Sequence, residues 1–223
     1  MRNQVLILLI FSSLFSHAYS ETGMTETEIE KWFNEDTTLP VQVDEGELLF
    51  LSEATEKPIL HSISELTIDQ HSINSGWTTI SQCYRHLDPV ARTEVVYQYQ
   101  SIKNFHILSK QNIQSAKIKK NSIALENVLL NAQLCIRADV KIFNRQSNNT
   151  FSLINGPYHR KFLDGYFPYH VTLIIHYPEK KLKIITTNPP KQPGFQVKSE
   201  VNKIIFDSVF SGKLNIEAIF EQR

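Results

Sequence analysis

The chain has 223 residues, 23 Lys/Arg balance 23 Asp/Glu, and 41% of its residues are hydrophobic. That is room for one large β domain or two small ones, and seven glycines and nine prolines are too few for a low-complexity chain. The neutral total hides an asymmetry: residues 21–60 hold 11 Asp/Glu against 2 Lys/Arg, and residues 61–223 hold 12 against 20. An acidic arm could lie across a basic body, or the body could meet an anionic partner, but the commoner outcome is a solvated arm beside a lysine-rich surface.

Taken in chain order, residues 1–20 read as a cleavable signal peptide. Arg2 gives a positive start, Val5 to Phe15 an apolar run, and Ala18 and Ser20 the small residues a signal peptidase accepts, so the cut is expected after Ser20. As a helix that run would rise only about 16 Å, roughly half a bilayer's hydrocarbon thickness. No later apolar stretch reaches membrane-spanning length; the longest, Val171 to Ile175, is flanked by His170 and His176. The chain is therefore expected to be exported, with no transmembrane segment.

An acidic N-terminal arm follows over residues 21–45. It carries a short helix over 24–34, capped by Thr25 or Thr27, with Ile29, Trp32 and Phe33 on one side. The β-rich body runs over residues 46–223, with Glu47 to Leu51 as its first strand. Period-two patterns and turn residues predict further strands near 59–68, 76–85, 93–99, 104–108, 113–119, 122–129 and 132–143. A second group is predicted near 150–154, 168–177, 181–187, 195–198, 202–209 and 213–221. Asp88-Pro89 offers a helix start or a turn, and Asn155-Gly156-Pro157 a turn. Ser211-Gly212 and Glu179-Lys180 read as hairpin loops. The fold class expected is all-β: an antiparallel β-sandwich, one large or two small, with a short N-terminal helix. The polar run 146–150 is the most plausible seam.

The two cysteines, Cys83 and Cys135, fall on the polar side of their strands. Alternation puts Leu134, Ile136, Ala138, Val140 and Ile142 on one face and Cys135 on the other with Arg137, Asp139 and Lys141; Cys83 groups with Thr79, Ser81 and Arg85. In an oxidising compartment the pair is expected to form one disulfide. The C-x-x-C spacing of a redox pair is absent, and a zinc site would need more ligands near each thiol.

Gln82-Cys83-Tyr84-Arg85-His86-Leu87-Asp88-Pro89-Val90 and Gly156-Pro157-Tyr158-His159-Arg160-Lys161-Phe162-Leu163-Asp164-Gly165-Tyr166 resemble segments of exported proteins from Gram-negative bacteria. The resemblance covers most of the mature chain and implies a periplasmic location. It supplies no functional residues.

The most unusual segment is 155–170, where rings and cations alternate around two glycines. Tyr158, His159, Arg160, Lys161, Tyr166 and Tyr169 are the candidate binding residues, a mixture suited to sugars, bases or anionic head groups. The segment is expected to be exposed; the competing expectation is that its rings plug one end of the sandwich. His170 and His176 share a strand face but lie about 20 Å apart, too far for one metal, and His61, His71 and His86 sit on separate predicted strands. Asp88 beside His86 is first of all a turn residue. No G-x-S-x-G elbow is present. The knot of Lys117, Lys119 and Lys120 is too small for a nucleic-acid site, and Asn148-Asn149-Thr150 is a glycosylation acceptor only in a eukaryotic secretory route. No cofactor, catalytic residue or metal is expected. The leading expectation is an exported, non-enzymatic protein that binds an envelope protein, lipid or glycan; the alternative is a hydrolase or thiol redox enzyme whose site assembles only in three dimensions.

Overall fold

A computed structural model describes residues 46–51, 58–162 and 165–223, all within one compact unit, Val43–Arg223. The expected signal peptide and the helix at 24–34 lie outside the described residues. The elements in chain order are β1 (Leu49–Phe50), β2 (His61–Thr67), α1 (Gln70–Ser75), β3 (Trp77–Leu87), β4 (Val90–Val96), β5 (Ile102–Ile118), β6 (Ser122–Lys141), β7 (Phe143–Arg145) and β8 (Thr150–Tyr158). They continue as β9 (Lys161–Phe162), β10 (Gly165–Tyr166), β11 (Tyr169–His176), β12 (Leu182–Asn188), β13 (Phe195–Glu200), β14 (Lys203–Ser211) and β15 (Leu214–Gln222).

Two sheets form the sandwich that alternation predicts. The larger runs β1-β14-β11-β2-β3-β6-β4, with β13 also on β14 and β5 also on β6; the smaller runs β12-β15-β8-β7. β2 and β11 pair in parallel, His61 opposite His170 and Thr67 opposite His176. Inward residues of β11 and β14, among them Val171, Leu173, Ile175, Phe206 and Phe210, share one apolar cluster with Phe151, Leu153, Ile216, Ala218 and Phe220 of the smaller sheet. Each fully buried Val, Leu, Ile or Phe among them contributes about 1.5–3 kcal/mol. A second cluster gathers Tyr84, Leu87, Tyr97, Ile113, Ile123, Leu125, Val128, Leu134 and Ile136. No helix among the described residues is long and apolar enough to cross a membrane.

The bridge expected between the cysteines is present. Cys83 stands directly opposite Cys135 across β3 and β6, their Cα atoms 4.1 Å apart. That spacing matches the closer of the two antiparallel pair types, so the register itself delivers the sulfurs to each other. Both cysteines lie on the outer face, while Leu134, Ile136, Ala138 and Val140 are buried.

Several local expectations need correction. The segments 104–108 and 113–119 belong to one strand, β5, and 122–129 and 132–143 to another, β6, rather than to four. Asn104, Asn112, Asn127 and Asn131 take positive φ, +49°, +56°, +48° and +58°, and the β5–β6 register slips at three places. Asparagine tolerates this left-handed conformation, so the ladder survives kinks that break the period-two pattern. Ser211-Gly212 and Glu179-Lys180 are not hairpin loops. β14 and β11 belong to the larger sheet and their successors β15 and β12 to the smaller, so each loop arches between layers; turn chemistry does not encode which partner the next strand takes. Gln146–Thr150 joins β7 to β8 within the smaller sheet, the Gln146 N–H donating to the Thr150 carbonyl at 2.9 Å.

Helix α1 was not anticipated, being too short to carry a helical period. Its punctuation was nonetheless in the sequence. Asp69 accepts from the Ser72 N–H at 2.8 Å while the Asp69 N–H donates to Ser72 Oγ at 3.1 Å, a reciprocal cap. Gly76 ends it at φ +77°.

Candidate functional site

A cavity of about 270 Å³ opens where the two apolar clusters meet. From the larger sheet come Gln82, Tyr84 and Leu87 of β3, followed by Asp88; from β4 and the chain after it, Thr93 to Tyr99; from β8 and its continuation, Asn155 to Lys161; Leu60 and Tyr169 complete the lining. Five of these residues, Tyr84, Tyr97, Tyr99, Tyr158 and Tyr169, are tyrosines.

Local sequence explains how β8 serves this wall. Alternation turns Phe151, Leu153 and Asn155 inward, and Ile154 outward. Between the pairs Ile216–Asn155 and Leu214–Tyr158, β8 spends one residue more than β15, a β-bulge that re-aims the chain so that Tyr158 also faces in. The bulge needs glycine: Gly156 sits at φ +128°, where a Cβ would lie 2.6 Å from the Leu214 carbonyl oxygen. Asn155-Gly156-Pro157 is thus no turn, as its composition suggested, but a kink inside a strand.

The lining is rich in neutral hydrogen-bonding groups. The Tyr84 hydroxyl donates to Gln82 Oε1 at 3.0 Å and the Tyr99 hydroxyl to Asn155 Oδ1 at 2.9 Å. The chain between β4 and β5 is held by Asn121, whose backbone carbonyl accepts from the Tyr97 N–H at 2.9 Å. Asn155 Nδ2 and His159 Nδ1 have no partner among the described residues. The hydroxyls of Tyr97, Tyr158, Ser62 and Ser64 make no well-formed hydrogen bond, although Tyr97 lies against the Tyr84 hydroxyl, Tyr158 against that of Ser64 and Tyr169 against that of Ser62. Ser62, Ser64 and Asn155 are at most 1% exposed. Leaving such a group unmatched costs about 1–3 kcal/mol.

Burial pushes the phenols of Tyr84, Tyr97, Tyr99 and Tyr158 well above the ordinary tyrosine value. It raises Tyr169 to about 12, against a smaller opposing effect of the Ser62 hydroxyl. All five stay protonated at neutral pH, each offering one donor and an acceptor oxygen. Charge is confined to the rim, where Arg160 makes a two-pronged pair with Asp88, Nε to Oδ2 at 2.9 Å and Nη2 to Oδ1 at 2.5 Å, and donates from Nη1 to the Pro168 carbonyl at 3.2 Å.

Of the six binding residues proposed from the sequence, the structure brings five, Tyr158, His159, Arg160, Lys161 and Tyr169, to this cavity. Tyr166 stands apart. It is half-buried over Gly46, where an added Cβ would meet its ring at 2.5 Å, and Lys161 and Lys213 lie 5.6 and 5.5 Å from its ring centre. The segment is not exposed as a whole: Tyr158 and Tyr169 are buried, whereas Phe162 and Phe167 are 63% and 41% exposed. Its composition reflects a wall with a wet rim.

Sequence reasoning missed Ser62, Ser64, Gln82, Tyr84, Tyr97, Tyr99 and Asn155. A signal was available on β2, where His61-Ser62-Ile63-Ser64-Glu65-Leu66 places serines at the positions in phase with the buried Leu66. It also missed a convergence of histidines. His61 and His170 stack on the outer face of the larger sheet, ring centres 3.7 Å apart and planes 7° from parallel, beside Asp207. This is the one set of three metal-ligand side chains that comes together among the described residues. His176 instead lies 3.8 Å from Glu65.

No family model and no curated protein matches the chain. Among solved structures it is similar to the M1 zinc metallopeptidase from Deinococcus radiodurans, with 10% identity over 73% of this chain and a TM-score of 0.38. The chain spans 42% of that protein's length. A likeness of this size carries no argument about fold or activity.

Proposed function

We propose that the chain is an exported, non-enzymatic binding protein of the cell envelope, periplasmic in location, whose ligand is a neutral glycan unit held in the tyrosine-lined cavity. The observation that carries this reading is the combination of five tyrosines with buried hydroxyl and amide groups whose hydrogen-bonding capacity is only partly used, around one opening. Hydroxyls and amides that both donate and accept suit a ligand whose surface is itself hydroxyls, and aromatic faces suit the apolar side of a sugar ring. A charged ligand would enter a lining with no counter-charge at depth, at a cost in desolvation, since Arg160 and Asp88 already satisfy each other at the rim. Export is supported by the signal-like N-terminus and by the single disulfide.

Saturation-transfer NMR with chitobiose and maltose, and inositol hexaphosphate as a charged control, tests the reading. A neutral sugar should receive saturation and be displaced by excess unlabelled sugar. Tyr97→Phe and Tyr158→Phe should each weaken binding roughly two- to tenfold, the worth of one hydrogen bond. Transfer to the phosphate alone, or sugar binding indifferent to both substitutions, would overturn it.

A further inference from the structure

We infer that the outer face of the larger sheet carries a second, separate site, one for a transition-metal dication of the zinc type, with His61, His170 and Asp207 as its protein ligands. Three neighbouring strands supply them. β2 and β11 place His61 beside His170, and β11 and β14 place Thr172 beside Asp207, so the three ligands project from one face at adjacent positions. Their nearest ligand atoms all lie within 4.8 Å of one another. A tetrahedral ion bound at 2.0–2.1 Å asks for about 3.4 Å between ligand atoms, a closure that side-chain rotation of three half-buried groups can supply. Two imidazoles and one carboxylate on one side of an ion, with the solvent side open to water, is a recurrent donor set for zinc and for non-haem iron.

The hydrogen-bond network already converges where the ion would sit. The Thr172 hydroxyl donates to Asp207 Oδ2 at 2.6 Å, so its single proton is spent there. His61 Nε2, 2.9 Å from the Thr172 hydroxyl oxygen, must therefore be the donor of that contact. His170 Nε2 lies 3.1 and 3.2 Å from the two Asp207 oxygens. Asp207 thus gathers the donors around it. An ion replaces those hydrogens at no net proton cost when both imidazoles are neutral: each ring proton moves to Nδ1, the Nε2 lone pairs turn inward, and Thr172 remains as an outer partner fixing the carboxylate. Burial favours the neutral imidazole of His61. Arg85, opposite His61 on β3, opposes a cation and sets a limit on affinity.

A satisfied polar network with no metal role would have the same hydrogen bonds, so the test must read the ion. The purified full chain, stripped with chelator and dialysed, is titrated with Co²⁺ and the visible absorption of the bound ion is followed. One equivalent should saturate a tetrahedral or five-coordinate spectrum, and Zn²⁺ should abolish it by competition. His170→Gln and Asp207→Asn should each weaken binding beyond the roughly 10–100-fold that outer partners are worth, while His176→Gln, on the same strand, should leave it unchanged. Circular dichroism of each metal-free variant confirms folding; a misfolded His170→Gln is replaced by His61→Gln. A chain that binds no cobalt saturably, or folded variants that bind it as the wild type does, would overturn the site. Sugar binding at the cavity, on the opposite face of the sheet, should be indifferent to the ion.

Discussion

Strands β2 and β11 carry polar residues on both faces of the larger sheet, and the two faces treat them differently. Outward, His61, His170 and Thr172 join Asp207 in a network in which every group has a partner. Inward, one residue along, the hydroxyls of Ser62 and Ser64 meet only the phenols of Tyr169 and Tyr158 in the tyrosine wall, with no well-formed hydrogen bond. Water can repair any outer-face polar group, so the convergence of those four reflects specific geometry. On the inner face Asn155 Nδ2 and His159 Nδ1 are matched by no other group among the described residues, and polar atoms left so, at about 1–3 kcal/mol each, are ones a hydroxyl-rich ligand in the cavity would satisfy.

Experiments can separate the faces, beginning with the largest effect. The Cys83–Cys135 bridge belongs to the outer face and closes a loop of 52 residues. Replacing both cysteines by serine should lower unfolding free energy in urea by at most about 4 kcal/mol, yet leave sugar affinity intact. A parallel loss of affinity would show that the faces are coupled through β3. On the inner face, Tyr158→Ala should cost about 3 kcal/mol by opening a cavity. Tyr158→Phe should change stability by no more than about 1 kcal/mol, because the hydroxyl it removes has only its contact with Ser64 to lose. A large destabilisation by Tyr158→Phe would mean that this hydroxyl is structural after all.

The last effect is electrostatic and confined to the outer face. His61 is lowered from 6.5 to about 4, by burial first, then by His170, Arg85 and His86, against the opposing pull of Asp207. Between those values the unfolded chain binds a proton at His61 that the folded chain refuses. Stability is therefore complete above pH 6.5 and falls as pH drops toward 4. Burial alone would raise Asp207, but hydrogen bonds from His170 and Thr172 outweigh it and hold the carboxyl below its usual range, so a further loss follows at lower pH. Because His61 is partly exposed and screened, the first step should be about 1 kcal/mol, seen as a fall of about 2–4 °C in melting temperature. His61→Gln should flatten it; an unchanged slope in that variant would move the effect to another group.

Much of the sandwich was legible because alternation is a strong signal wherever one face is buried: β11 and β14 read cleanly from Val171, Leu173, Ile175 and from Ile204, Phe206, Phe210. The same rule set Cys83 and Cys135 on the outer face. What stayed illegible depends on partners far away in sequence. Nothing in Ser211-Gly212 says that β15 will join a different sheet from β14. Tyr158 and Tyr169 could be named as unusual, but Tyr84, Tyr97 and Tyr99 look like ordinary strand aromatics until the chain brings them to one opening. The stacking of His61 on His170 is illegible for the same reason, since the parallel pairing of β2 with β11 that produces it has no local signature.

That parallel pairing also governs how the chain comes to be folded. His61 and its neighbour Thr172 are 111 residues apart in sequence, so β2 cannot find its second neighbour until three quarters of the chain is available. Closing so long a loop before any contact rewards it is slow, and sheets dominated by distant pairings fold in milliseconds to seconds rather than microseconds. Until β11 arrives, one edge of β2 is an unpaired strand edge open to pairing with another copy. Translation arrested before β11 should therefore leave an aggregation-prone intermediate, and a chain threaded unfolded through a membrane would run that risk on the far side, where the bridge between β3 and β6 can form first and hold half the sheet in register.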